Sequence, residues 1–288
     1  MQDAGYLVSW ISDRREAPIL GSWILDHGQA RSAIALIIIF WANLRFTSLQ
    51  GFLGIYEINY FWSVTITLIT IVGLINCFNL VDGIDGLAAG VSSVSLITLG
   101  IWFGIVGQNE LMMISFILAG ALLSFIPYNV YGHTNKIFLG DTGSLTIGFI
   151  IAYLILKFNQ VNLSLPPEYM LKSAPAISIA IVFVPLFDTI KVFILRMAKG
   201  KHPFSPDKQH AHHTLLNLGL NHAQTSLYLV GLNAAFIIIG FSASYLGTTA
   251  LFFLLLIQGL VVFFIPSAIK RKKENKPILP NPLSARSA

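Results

Sequence analysis

Cysteine is almost absent from this 288-residue chain: Cys77 stands alone, so no internal disulfide can form. Charge is scarce as well. Asp, Glu, Lys and Arg make up 11% of the residues, where soluble domains carry about 25%. With 55% of the chain hydrophobic, a water-soluble fold of this size could not hide the apolar surface, and the bilayer has to act as solvent for much of it. No strand alternation of the barrel type, no internal repeat and no low-complexity segment is visible. The opening MQDAGYLVSW lacks a basic start and a long apolar centre, so no cleavable leader is expected there. Aromatic–basic interleaving is missing too. The net charge of +5 therefore does not make nucleic acid an expected partner.

What is present is a series of apolar runs. Lengths of roughly 17–25 residues mark membrane spans, and eight are expected, at about 31–46, 60–76, 87–107, 111–128, 144–158, 173–195, 226–243 and 248–268. Backbone polar groups in lipid must be bonded internally, so the expected fold class is all-α, a polytopic transmembrane helix bundle. Residues 1–268 form one membrane-embedded domain, and 269–288 a basic, Pro-containing tail. Lys and Arg set the orientation. The connections between spans 1–2, 3–4, 5–6 and 7–8 hold Arg45, Lys157 and Lys172 at their edges and little else basic. The others and the termini hold Arg14, Arg15, Lys136, Lys199, Lys201, Lys208 and the KRKK run at 270–273. Both termini and the 77–86, 129–143 and 197–225 connections are thus expected in the cytoplasm, with the chain in the inner (plasma) membrane.

The few polar groups crowd onto that same side. Of 13 acidic residues only Glu57, Glu110 and Glu168 fall in the outer connections. Polar groups near a membrane interior are costly unless paired, so the crowding marks a functional site. In NCFNLVDGIDG, the residues Asn76, Asn79, Asp82 and Asp85 recur every three positions, a polar stripe with Asp82 and Asp85 as helical neighbours. Asp85 also suits an N-cap, but capping alone needs fewer polar groups than this. In KIFLGDTGSLTIG, Asp141 opens a span, where it could cap the helix or hold Mg²⁺, an ion that takes only one or two protein carboxylates. A third segment carries Asp188 and Arg196, then Asp207 and His210, His212 and His213. A solvated His-rich loop is the plain alternative. Zinc is not favoured, because no second ligand cluster stands nearby and the spacing is not that of a protease site. Phosphate binding or proton carriage fits better.

NCFNLVDGIDGLAAG, KIFLGDTGSL and KGKHPFSPDKQHAHHTLLNLG, in this order and on one membrane side, resemble the polyprenyl-phosphate N-acetylhexosamine-1-phosphate transferases. The likeness covers about residues 10–225, and the His-x-His-His form is closer to the N-acetylglucosamine branch than to the muramoyl-pentapeptide branch. The resemblance implies transfer of a sugar 1-phosphate from a UDP-N-acetylhexosamine to undecaprenyl or another polyprenyl phosphate, with release of UMP, as the first membrane step of a cell-wall or surface polysaccharide (lipopolysaccharide) pathway. It implies Mg²⁺, or Mn²⁺ in its place, on Asp141 and Asp82. Asp82 and Asp85 line the nucleotide and metal cleft with Asn76 and Asn79, and Phe138 lies near the uracil. His210, His212 and His213 engage the pyrophosphate, flanked by Arg196 and Asp207.

Two departures accompany it. The family's first helices and its basic, Gly- and Pro-containing cytoplasmic segment have no counterpart, so an N-terminally shortened member is expected. The family's Asp-Asp-x-x-Asp motif is matched only by SDRRE, with Ser12 in the first place, Asp13 in the second and Glu16 in the third. A catalytically impaired paralogue and a membrane transporter stay open as alternatives, and so does a homodimer.

Overall fold

The structure is a computed structural model that describes residues 37, 43–132, 134–198, 200 and 210–274; for His213 and residues 265–274 it gives the backbone only. Of the first expected span, 43–46 are irregular and most of the rest lies outside the described residues. Next comes a β-hairpin that an all-α reading did not contain. Strands β1 (Ser48–Phe52) and β2 (Ile55–Glu57) pair antiparallel, with Ser48 opposite Glu57 and Phe52 opposite Ile55. A lone two-stranded hairpin is marginal. This one is fastened from outside: Thr248 donates to the Gln50 carbonyl at 2.7 Å, Thr249 accepts from Leu53 N–H at 2.7 Å, and Asn162 donates to the Gln50 side chain at 3.0 Å.

Helices follow: α1 (Tyr60–Val81), α2 (Leu87–Ile105), α3 (Asn109–Tyr131), α4 (Gly140–Ser164), α5 (Ala174–Ile181), α6 (Phe183–Ala198), α7 (Ala211–Asn217), α8 (His222–Ser242) and α9 (Thr248–Glu274). Among the described residues five helices are long and apolar enough to cross a bilayer, or six if α5 and α6 count as one broken span. That is fewer than the eight read from hydropathy. Exposed Tyr60, Phe61 and Trp62 at the start of α1 form the kind of aromatic belt that sits at a bilayer interface.

The expected span 173–195 is bent by 81° between α5 and α6. Pro185 supplies the cause. It has no N–H for the carbonyl of Ile181, four residues back. That carbonyl instead accepts from Ser95 (2.7 Å) and Asn233 (3.1 Å), and Asn233 Oδ1 takes the Val184 N–H at 3.0 Å. The broken backbone is thereby satisfied inside the bundle, as buried backbone requires. Around the break, Phe183 stacks between Phe236 and Phe187.

Helices α1 and α4 run side by side, and Gly148 sets their spacing. A Cβ there would lie 2.9 Å from Ile75 Cα, a backbone atom that cannot swing aside. Gly148→Ala is expected to push the pair apart and to cost about 1–3 kcal/mol, the range for overpacked cores. Thermal melting in detergent checks this; an unchanged melting temperature would show that the two helices have room.

Candidate functional site

The polar stripe lies where α1 ends. The helix continues past the expected 76 to Val81, so Asn76 and Asn79 are helical and Asp82 is the C-cap residue. The turn 82–86 then leads into α2. Its N-cap is Gly86 at φ 76°, not Asp85, and no side chain caps the helix. The turn is held by its backbone: Gly86 N–H donates to Asn129 Oδ1 at 2.6 Å, and Ser226 donates to the Asp85 carbonyl at 2.6 Å. Asn129 also donates to the Ile137 carbonyl at 2.9 Å, which ties the turn to the segment before α4.

Three distant segments meet here. From α1, Asn79 donates to Asp141 Oδ1 (3.2 Å) and to Ser144 Oγ (3.0 Å) on α4. From the α3–α4 connection, Lys136 Nζ pairs with Asp85 Oδ2 at 2.7 Å and lies 5.3 Å from the ring centre of Phe138. From α7, the buried His212 ring lies against Gly83, where a Cβ would meet Cε1 and Nε2 at 2.8 Å. Only a glycine lets the histidine segment come this close to the turn. Phe138 is 73% exposed, and Asp141 is exposed too, so both are reachable from outside the bundle.

The carboxylates are not equally compensated. Asp85 has its lysine and Asp141 has the Asn79 amide. Asp82 has no hydrogen-bond partner among the described residues. Burial pushes its carboxyl up to about 6, and repulsion from Asp141 and then Asp85 adds to the shift. Crowded carboxylates at an accessible mouth suit a cation. Among the described residues no three His, Cys, Asp or Glu side chains gather as a metal-binding group. Among the described residues the charged donors at the mouth are carboxylates, a set that suits Mg²⁺ and its retained waters.

Other expected site residues fall elsewhere. Asn76 turns back to donate to the Val72 carbonyl at 2.7 Å and lines a cavity of about 730 Å³. That cavity is apolar, walled by Ile69, Gly73, Ile155, Ile179, Leu186 and Phe193 among others. Arg196 is buried in the last turn of α6. His210 is buried and its Nδ1 is 2.8 Å from Asp188 Oδ2. His213 belongs to α7. Asp13 and Asp207 lie outside the described residues. Lys136 and Ser144 were not singled out as site residues by the sequence, and Asp188 was named in the third segment without a role of its own. Lys136 had a signal, since it lies five residues before Asp141; Asp188 had one as the sole carboxylate inside its expected span.

The profile of glycosyl transferase family 4 matches residues 27–159. The undecaprenyl-phosphate alpha-N-acetylglucosaminyl 1-phosphate transferase of Salmonella typhi is 33% identical over 251 residues, 84% of this chain and 65% of the relative. Its namesake from Escherichia coli K12 is 31% identical over 250 residues, with the same coverage. The decaprenyl-phosphate N-acetylglucosaminephosphotransferase of Mycobacterium tuberculosis H37Rv is 36% identical over 121 residues, 41% of this chain and 30% of the relative. The chain thus spans somewhat under two thirds of the length of the enterobacterial relatives it matches.

Asp82 gives a pH prediction. Its folded-state value lies above the ordinary 3.8, so protonated Asp82 favours the fold in full below about pH 3.8, and that contribution is lost as pH rises through about 6. In cation-free protein, infrared difference spectroscopy should find a half-buried carboxyl titrating near pH 6 that Asp82→Asn removes. Asp141→Asn should lower its midpoint without restoring 3.8, because burial remains. An unmoved midpoint would mean that Asp141 is too distant to repel it.

Proposed function

We propose that the chain is a glycosyl transferase family 4 enzyme that transfers N-acetylglucosamine 1-phosphate from UDP-N-acetylglucosamine to a polyprenyl phosphate, undecaprenyl phosphate in particular, a reading supported by the profile match and by the enterobacterial relatives. The observation that carries the reading is the convergence of the turn 82–86, Asp141 and His212 of α7 at one end of an apolar bundle. One reactant is water-borne and the other lives in the bilayer, so their phosphates can meet only at such a mouth. The distribution of Lys and Arg supports a mouth on the cytoplasmic side of the plasma membrane. The step would open a cell-wall or surface polysaccharide pathway.

A lipid phosphate oxygen attacks the β-phosphorus of the sugar nucleotide. The bond from that phosphorus to the UMP oxygen breaks, and UMP leaves with the electron pair. The lipid phosphate is mostly ionised near neutral pH, its second pKa being about 6, so no strong base is needed. Both reactants are anions, and the residues at the mouth serve to bring them together. Asp141 and Asp82 would hold Mg²⁺, or Mn²⁺ in its place, which when bound neutralises charge on the pyrophosphate oxygens. Asn79 orients the Asp141 carboxylate, and Lys136 offsets Asp85. His210, His212 and Arg196 would offer charge-assisted hydrogen bonds to phosphate, and the resemblance assigns His213 and Asp207 to the same role. Phe138 presents an exposed ring for the uracil. Asp13 would orient the lipid phosphate. The apolar cavity of about 730 Å³ that Asn76 lines would take isoprenoid units of the lipid.

Membranes carrying the chain, given radiolabelled UDP-N-acetylglucosamine and undecaprenyl phosphate, should move label into the organic phase and release UMP. Asp141→Asn should insert normally and lower this by roughly a hundredfold or more, the scale for losing a charge-stabilising group. Full activity in that variant would remove Asp141 from the machinery. Protein-dependent uptake of label with no lipid product would replace the transferase by a transporter.

A further inference from the structure

Asp188 lies on α6, buried at 2% exposure, and its carboxylate is doubly engaged. Oδ2 lies 2.8 Å from Nδ1 of His210, and Oδ1 accepts the backbone N–H of Ala211 at 2.6 Å. His210 is the N-cap residue of α7 and is itself only 6% exposed. One side chain thus grips the first turn of α7 by a ring and by a backbone amide. Lys191, buried one turn further along α6, is a nearby charge that interacts with Asp188. The rings of His210 and His212 are parallel to within 7°, and His212 reaches the catalytic turn at Gly83.

We propose that Asp188 is a positioning residue: it fixes His210 in the Nδ1-protonated form and holds its Nε2 edge ready for phosphate. The argument is one of donors and acceptors. An ionised carboxylate has no proton to give, so at the Asp188–His210 contact the imidazole must be the donor. With Nδ1–H committed, Nε2 is the nitrogen through which His210 acts. When the ring carries both protons, Nε2–H donates to an anionic phosphate oxygen while Asp188 balances the ring charge on the far side. The same division of labour between an orienting acid and a working histidine recurs in unrelated enzymes. A purely structural Asp188 would need only to cap Ala211 N–H, and the second oxygen would have no need to face the ring. The ligand class, phosphate of the sugar nucleotide, rests on the transferase reading above; the tautomer does not.

Asp188→Asn separates the two roles. The amide oxygen can still take the Ala211 N–H, which leaves the NH₂ facing Nδ1 and obliges that nitrogen to accept. The proton then moves to Nε2. With ¹⁵N-histidine labelling of the full chain in detergent, and His210→Gln to identify the signal, wild type should show a protonated Nδ1 and Asp188→Asn an unprotonated one. Asp188→Glu should return the wild-type pattern. In the transfer assay Asp188→Asn should lower kcat about 10- to 100-fold, the scale for removing an orienting partner, with KM for the sugar nucleotide within about threefold. A wild-type His210 protonated at Nε2 alone overturns the proposal, even if no Asp188 variant folds. So does an Asp188→Asn protein with wild-type kcat. If wild type makes no lipid product yet shows the Nδ1-protonated ring lost in Asp188→Asn, the transferase reading fails and the positioning role stands.

Discussion

Like charges held together are the constraint on which this mouth depends. Asp82, Asp85 and Asp141 come from two helix ends and the turn between α1 and α2, and each would relax by moving away from the others. The surroundings forbid it. Gly86 N–H is held by Asn129, the Asp85 carbonyl by Ser226, and the Asp141 side chain by Asn79, so four elements share the turn and its neighbour. Repulsion is then relieved by other means: a lysine beside Asp85, an amide on Asp141, and a proton on Asp82 below about pH 6. Above that pH a divalent cation facing two of these carboxylates, as the proposed function has it, would offset the repulsion instead.

The holding is done by backbone groups and neutral side chains rather than by further charge. That choice has a physical reason. An amide or hydroxyl bonded to a carbonyl costs little to bury, whereas each added ion would need its own partner. The same economy repairs the broken span. Asn233 closes the gap between Ile181 and Val184 with one amide, using its oxygen for one side and its nitrogen for the other.

Much of this was legible in the sequence, and the misses have identifiable causes. The three-residue spacing of Asn76, Asn79, Asp82 and Asp85 announced a stripe, but hydropathy stopped the helix at 76. The helix runs on because Asn76 bonds its own Val72 carbonyl and Asn79 bonds across to α4, so neither breaks the backbone ladder. The run 144–158 was likewise too short. Asn159 and Asn162 extend α4, since Asn159 bonds Ser178 and Asn162 bonds Leu171 and Gln50 inside the fold. The hairpin was invisible because its fastenings come from Thr248 and Thr249, nearly two hundred residues away. Pro185 was read through as part of one span, 173–195, and nothing local announced that Asn233 would make a break there tolerable.

That break also bears on chemistry. A straight span would carry Asp188 along one axis with α5. The 81° bend gives α6 a direction of its own. Everything on the histidine side follows from that direction: α6 places Asp188, Asp188 holds His210 and Ala211, and α7 lays His212 on Gly83. A buried carboxylate and imidazole add little stability over apolar residues of the same size. Their value at this joint is directional, because two donors converging on one carboxylate fix both the position and the rotation of a short helix. A missing N–H at Pro185 is therefore coupled, through one aspartate, to the histidines that would meet the phosphate.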